Sequence, residues 1–114
     1  MCSSDLFVTE SGRDGMPSAV VAANDLVAIG VLESLFALGI RVPQEVSIIG
    51  YDDIYIAGLL RVPLTTVHQA KYRMGQIAAA GLLEMLDGRQ EPGGRQVLIA
   101  PKLVIRESCK ELTQ

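Results

Sequence analysis

Ala19-Val20-Val21-Ala22-Ala23, followed by Asn24-Asp25, followed by Leu26 through Gly39 and closed by Val46-Ser47-Ile48-Ile49-Gly50, is the stretch on which the fold turns. The first five residues form a short apolar run without alternation, which predicts a strand covered on both faces. Asn24 and Asp25 are helix starters, because a short polar side chain can accept from the orphan backbone N–H groups of a first turn. Leu26 to Leu38 is helical in composition, Gly39 supplies a C-terminal cap, and Val42-Pro43 marks the stop. Val46 to Gly50 is a second buried strand. The intervening loop and helix, about twenty residues, have the length of a right-handed crossover between parallel strands.

Working outward, Tyr51 to Pro63 is too short and irregular for a full crossover helix, although Tyr55 to Leu60 suits one or two turns. Leu64 to His68 predicts a third strand. Gln69 to Asp87 predicts the clearest helix, with Met74, Ile77, Ala78, Gly81, Leu82 and Met85 on a single stripe and Gly88 at its end. Glu91-Pro92-Gly93-Gly94 reads as a turn, and two short strands are expected at 95–99 and 102–106, separated by Ala100-Pro101. The expectation is an α/β fold with a mainly parallel sheet and flanking helices. Met1 to Pro17 lacks a sustained period and reads as an irregular N-terminal segment. Within it, residues 1–6 resemble a translated sequencing-adapter tail, so a processing scar is expected there. The folded part is expected at 18–109 and a tail at 110–114.

The 114 residues, with 49% apolar, 20% charged and a formal net charge of −3, suit one small globular domain. That charge makes the chain a poor binder of phosphate backbones. No apolar run has the length of a membrane span, and no export signal is visible at the start. Cys2 and Cys109 are expected to be unpaired thiols in a cytoplasmic protein, although two cysteines can pair. With His68 the only histidine, a four-ligand metal site is not expected. Enzyme chemistry finds no support either. The nucleophile elbow, phosphate loop and dinucleotide fingerprint are all missing from the sequence. Asp52-Asp53 is weak as an acid–base pair, because neighbours in extended chain project in different directions.

In open parallel sheets, ligands bind where strands end and side chains converge. That rule selects Asn24 after the first strand, Asp52 after the second and Gln69 after the third. Two amides and a carboxylate can donate to and accept from a hydroxyl-rich molecule. The alternative roles are a helix cap, a turn former and a helix-start residue. The first helix is apolar nearly all round, with Glu33 and Ser34 its only polar residues in the middle. Its face bearing Ile29 and Phe36 needs cover from a larger domain or a second subunit.

These residues also carry a resemblance. Ala22-Ala23-Asn24-Asp25-Leu26-Val27-Ala28-Ile29-Gly30 resembles the A-x-N-D-x-x-A-x-G block of the LacI/GalR family of bacterial transcriptional regulators. Gly39 with Arg41 to Ile54 resembles its G-x-x-V-P-x-D-V-S-V-V-G-F/Y-D-D block. Pro63 to Gln69 resembles P-x-L-T-T-V-x-Q once the spacing is relaxed by one position, and Met74-Gly75 and Leu103 to Cys109 fit as well. The resemblance covers about 17–109. It implies a periplasmic-binding-protein-like fold, of which this chain would be a partial C-terminal subdomain. It implies no cofactor and no membrane, with operator DNA met only through a separate helix-turn-helix domain. It also implies a small effector, sugar-like, held by Asn24, Asp52 and Gln69, and a homodimer interface including Ile29, Glu33, Phe36, Leu59 and Leu60. A periplasmic sugar-binding component of a transporter, which shares the fold, is the alternative.

Overall fold

The computed structural model describes residues 15–89 and 93–112. The expected scar at 1–6 and most of the N-terminal segment lie outside the described residues. Along the chain run β1 (Ala19–Val21), α1 (Asp25–Ala37), β2 (Ser47–Ile49), a 3-10 turn (Tyr55–Gly58), β3 (Thr66–His68), α2 (Lys71–Leu86) and β4 (Lys102–Val104). The chain divides into two compact units: one holds the residues up to His68 together with Leu103 onward, and the other is Gln69–Lys102.

The first unit is a βαβ crossover extended by two more strands. β1 and β2 pair in parallel, with Ala19 opposite Ser47, Val20 opposite Ile48 and Val21 opposite Ile49. Single parallel bridges from Ile49 to Thr65 and from Asp52 to His68 carry the sheet on to β3, which pairs with β4. Helix α1 begins at Asn24, in extended conformation, whose Oδ1 accepts from Val27 N at 2.9 Å. It ends with Gly39 at φ 69°, where Gly39 N donates to Phe36 O and Ile40 N to Leu35 O. That pair of bonds is a Schellman closure, and it needs a left-handed residue that glycine supplies without strain.

Ala28, Val31, Leu32 and Leu35 line the inner face of α1 and close over Ile48, Val46 and Leu64, all buried. The outer face remains apolar and open, with Leu26 70% and Val27 49% exposed. Full cover of β1 on both faces is not what the structure has: Val21 is 80% exposed. Among the described residues β1 has a strand neighbour on one side only, so its end stands as an edge.

The second unit contains α2 and the segment from 93 to 102. The predicted stripe is present, but no residue of α2 is buried. Met74, Ile77, Gly81 and Met85 instead line an open groove of about 860 Å³ with Val97 and Ile99. The strand expected at 95–99 does not form, and the stretch runs without regular structure. A strand exists only through its ladder, and the described residues offer this stretch no partner backbone.

Candidate effector site

Strand ends gather polar side chains in the first unit, and the central one is Asp25. This residue is fully buried. Its Oδ1 accepts from Thr66 Oγ1 at 2.5 Å and its Oδ2 from Ile54 N at 2.8 Å. Its backbone N donates to Tyr51 O at 2.9 Å. One side chain at the start of α1 therefore ties the loop after β2 to β3. A buried carboxylate requires such partners, since leaving one unpaired costs far more than the bonds return. Gly50 makes the arrangement possible, because a Cβ there would fall on Asp25 Oδ1 and meet Leu64 Cδ2 at 3.0 Å.

Asn24 and Asp52, two of the side chains selected from the sequence, flank that junction, each next to one member of the Asp25–Tyr51 bond. Asn24 does serve as a helix cap, through its Oδ1. Its amide group NH2 is a separate donor, so capping and ligand contact are compatible. Asp52 sits at φ 114° and Asp53 at φ 55°, both in the left-handed region that non-glycine residues seldom adopt. The chain here is not extended, so the extended-chain geometry expected for this pair does not apply. Asp52 N donates to Val67 O at 2.9 Å, which fixes the loop against β3. Gln69 follows His68 directly and opens the second unit, where its carbonyl accepts from Lys71 N at 2.8 Å.

Asp53 was not selected from the sequence as a site residue, yet it pairs with both Arg106 and His68. Arg106 Nη2 donates to its Oδ1 at 2.7 Å, and His68 Nδ1 lies 2.9 Å from its Oδ2. Arg106 Nη1 also donates to Leu64 O at 3.0 Å, and Arg106 N to Thr65 Oγ1 at 3.0 Å. Burial by itself raises the Asp53 carboxyl, but the bonds from Arg106 and His68, and the charges behind them, outweigh it and hold the group below the ordinary carboxylate range. Ser108, fully buried, bridges the neighbouring strands: its Oγ donates to Ile48 O at 2.5 Å and accepts from Thr65 N at 2.8 Å. The sequence signal for these two was the Arg106-Glu107-Ser108-Cys109 ending. For Asp25 and Thr66 it was only their place beside Asn24 and within the third strand.

The other predicted positions lie on or near the outside of the first unit. Glu33 and Leu59 are exposed, while Ile29, Phe36 and Leu60 are half-buried. Phe36 and Leu60 pack against the core, and the Arg61 guanidinium lies 5.3 Å from the Phe36 ring centre. Among the described residues no group of three or more metal-ligating side chains occurs, and no helix is long and apolar enough to cross a membrane. Cys109 is a free thiol, and Cys2 lies outside the described residues. The groove of the second unit is lined chiefly by apolar side chains; Arg73, Glu84 and Arg95 are its charged residues, and no amide side chain lines it.

Comparison with known proteins agrees with this architecture. A model of the periplasmic binding protein-like domain matches residues 3–109. The HTH-type transcriptional repressor PurR of Haemophilus influenzae is 41% identical over 103 residues, covering 88% of this chain and 30% of the relative. A LacI family transcriptional regulator from Lactobacillus casei, solved with bound sucrose, superposes with a TM-score of 0.77 at 36% identity, over 92% of this chain and 38% of that one. The lac repressor dimer bound to operator and the anti-inducer ONPF superposes with a TM-score of 0.81 at 30% identity, over 93% and 35%. This chain thus spans about a third of the length of each of these proteins. With a family model matched across nearly its whole length and relatives at 36–41% identity, the chain belongs to the periplasmic-binding-protein-like domain family, and these relatives are transcriptional regulators of the LacI and PurR kind.

Proposed function

We propose that this chain is part of the effector-sensing region of a LacI/PurR-type repressor, working in the cytoplasm as a homodimer. In this reading a small sugar-like molecule is bound through Asn24 and Asp52, with Gln69 the third contact on sequence grounds. One observation carries the proposal. The Asp25–Tyr51 bond ties together the residues next to Asn24 and Asp52 beyond the ends of two adjacent parallel strands, which supports a site there, since this class of sheet binds ligands at its strand ends. The sucrose complex of the Lactobacillus casei relative supports a sugar as the effector class.

The mechanism is a shift between two arrangements of a complete regulator. Effector bound more tightly by one arrangement draws the protein into it, and operator affinity follows. A coupling of about 1–3 kcal/mol changes DNA affinity about 5- to 150-fold. The test is an operator gel shift with a full-length regulator carrying this sequence, titrated with sucrose, glucose, lactose and purine bases. Asp52→Ala should abolish the response to whichever compound acts and leave DNA binding intact. An unaltered response removes Asp52 from the site.

A further inference from the structure

The geometry points to Asp53 as a positioning residue: gripped by Arg106 and His68, it holds its neighbour Asp52 in the left-handed conformation that sets the carboxylate at the strand tip. The inference rests on Asp52 as an effector contact only for its functional meaning, since the clamp is made entirely by this chain's own residues.

Two consecutive aspartates at φ 114° and 55° are an uncommon backbone, and such residues persist where surrounding structure over-determines them. The groups that do so here come from three directions. Arg106, on the segment after β4, spans Asp53 Oδ1 and Leu64 O through two separate nitrogens. His68, at the end of β3, takes the second carboxylate oxygen. Thr66 Oγ1 accepts from Asp53 N at 3.4 Å while donating to Asp25, so the main chain of Asp53 is held as well as its carboxylate. Asp25, the charged group facing this loop from α1, binds the next amide, Ile54 N. Asp52 lies between Tyr51, anchored through its carbonyl, and Asp53, anchored through its side chain. Both of its flanks are fixed by residues that are not themselves strand-tip ligands. Arg106 and Asp53 are 53 residues apart, so this rigidity is supplied by tertiary structure and not by local sequence preference.

The experiment is solution NMR on the ligand-free 114-residue chain, reading the HN–Hα coupling of Asp52, which is small at its left-handed φ and large in extended backbone. Asp53→Ala should raise that coupling toward the extended value, and Asp53→Glu should restore it in part. In a pH titration the Asp52 amide should follow a step below the ordinary carboxylate range. Arg106→Gln should move that step up in pH, and Asp53→Asn should abolish it. If Asp53→Ala loses the folded signals of Ile48 and Val46, His68→Gln and Arg106→Gln decide the matter, each removing one arm of the clamp. An unchanged Asp52 coupling in Asp53→Ala, or in both single-arm variants, overturns the inference. Because no effector enters the measurement, a failed effector titration with full-length protein refutes the sensing proposal and leaves this result standing.

Discussion

Replacing Gly50 by alanine adds one methyl group at the point where the strand tips meet. The new Cβ would fall on Asp25 Oδ1 and lie 3.0 Å from Leu64 Cδ2 and 3.3 Å from Asp25 Cα. All three atoms belong to fully buried residues, so none can swing into solvent. Gly50 does not have a positive φ, so the penalty is steric and not conformational. Relief requires moving the Asp25 carboxylate off Thr66 Oγ1 and Ile54 N. Bonds to a charged acceptor contribute about 1.5–3 kcal/mol each, and forcing a methyl into a packed core costs about 1–3 kcal/mol. A loss of at least about 3 kcal/mol is expected, a large share of the roughly 5–15 kcal/mol typical of a small domain.

Urea unfolding followed by circular dichroism would measure it, with Gly30→Ala as the matched control. Beyond the helix's own neighbouring backbone, a Cβ at Gly30 in the middle of α1 would meet nothing within 4 Å, so the same substitution there should stabilise by about 1 kcal/mol through helix propensity. A double-mutant cycle sharpens the test. In an Asp25→Ala background the obstructing carboxylate is gone, and Gly50→Ala should cost at least about 2 kcal/mol less than in the wild type. Equal, small effects at both glycines, or additivity in the cycle, would refute the account of Asp25 as the junction of the strand tips.

Asn24→Ala removes the cap on Val27 N and should cost about 1 kcal/mol in the same urea assay, whether or not an effector is bound. The Asp53 carboxyl is held below its ordinary value, so its pairing stabilises the fold above the unfolded value of about 3.9 and is lost as pH falls through the folded value. The stability advantage of wild type over Asp53→Asn should therefore shrink below about pH 4, and an advantage constant down to acid unfolding would contradict the pairing. Ile29→Glu places a charge at a half-buried position of α1 and, under the proposed homodimer, should shift sedimentation of the full-length regulator toward monomer, whereas an unmoved dimer would place the interface elsewhere.

The strand–helix–strand core was legible because each element carries its own local code. The Asn24 cap, the glycine at 39 and the apolar runs fixed α1, β1 and β2 to within a residue or two of their observed limits. The second helix was equally clear, yet its stripe finds no core among the described residues. Periodicity reports which side chains share a face, and it is silent on what meets that face. The short strand expected at 95–99 failed for a related reason, since β-propensity without a paired backbone is not a strand. Legibility of the candidate site was similarly uneven. Asn24, Asp52 and Gln69 follow from strand ends alone, whereas Arg106 and Ser108 reach the site from across the chain.

The sequence by itself determined the order of elements from β1 to α2, the bounds of both helices to within two residues and the polar residues that follow the strand ends, because those depend on neighbours a few positions away. Only the tertiary structure decided that Asp25 is buried at a junction of Tyr51, Ile54 and Thr66, that Asp52 and Asp53 turn left-handed, and that Arg106 and Ser108 return to brace β2 and β3. Those outcomes belong to hydrogen-bond partners far apart along the chain, up to the 60 residues between Ser108 and Ile48. A buried polar group must find a partner wherever the fold brings one, and one-dimensional spacing does not specify where that is.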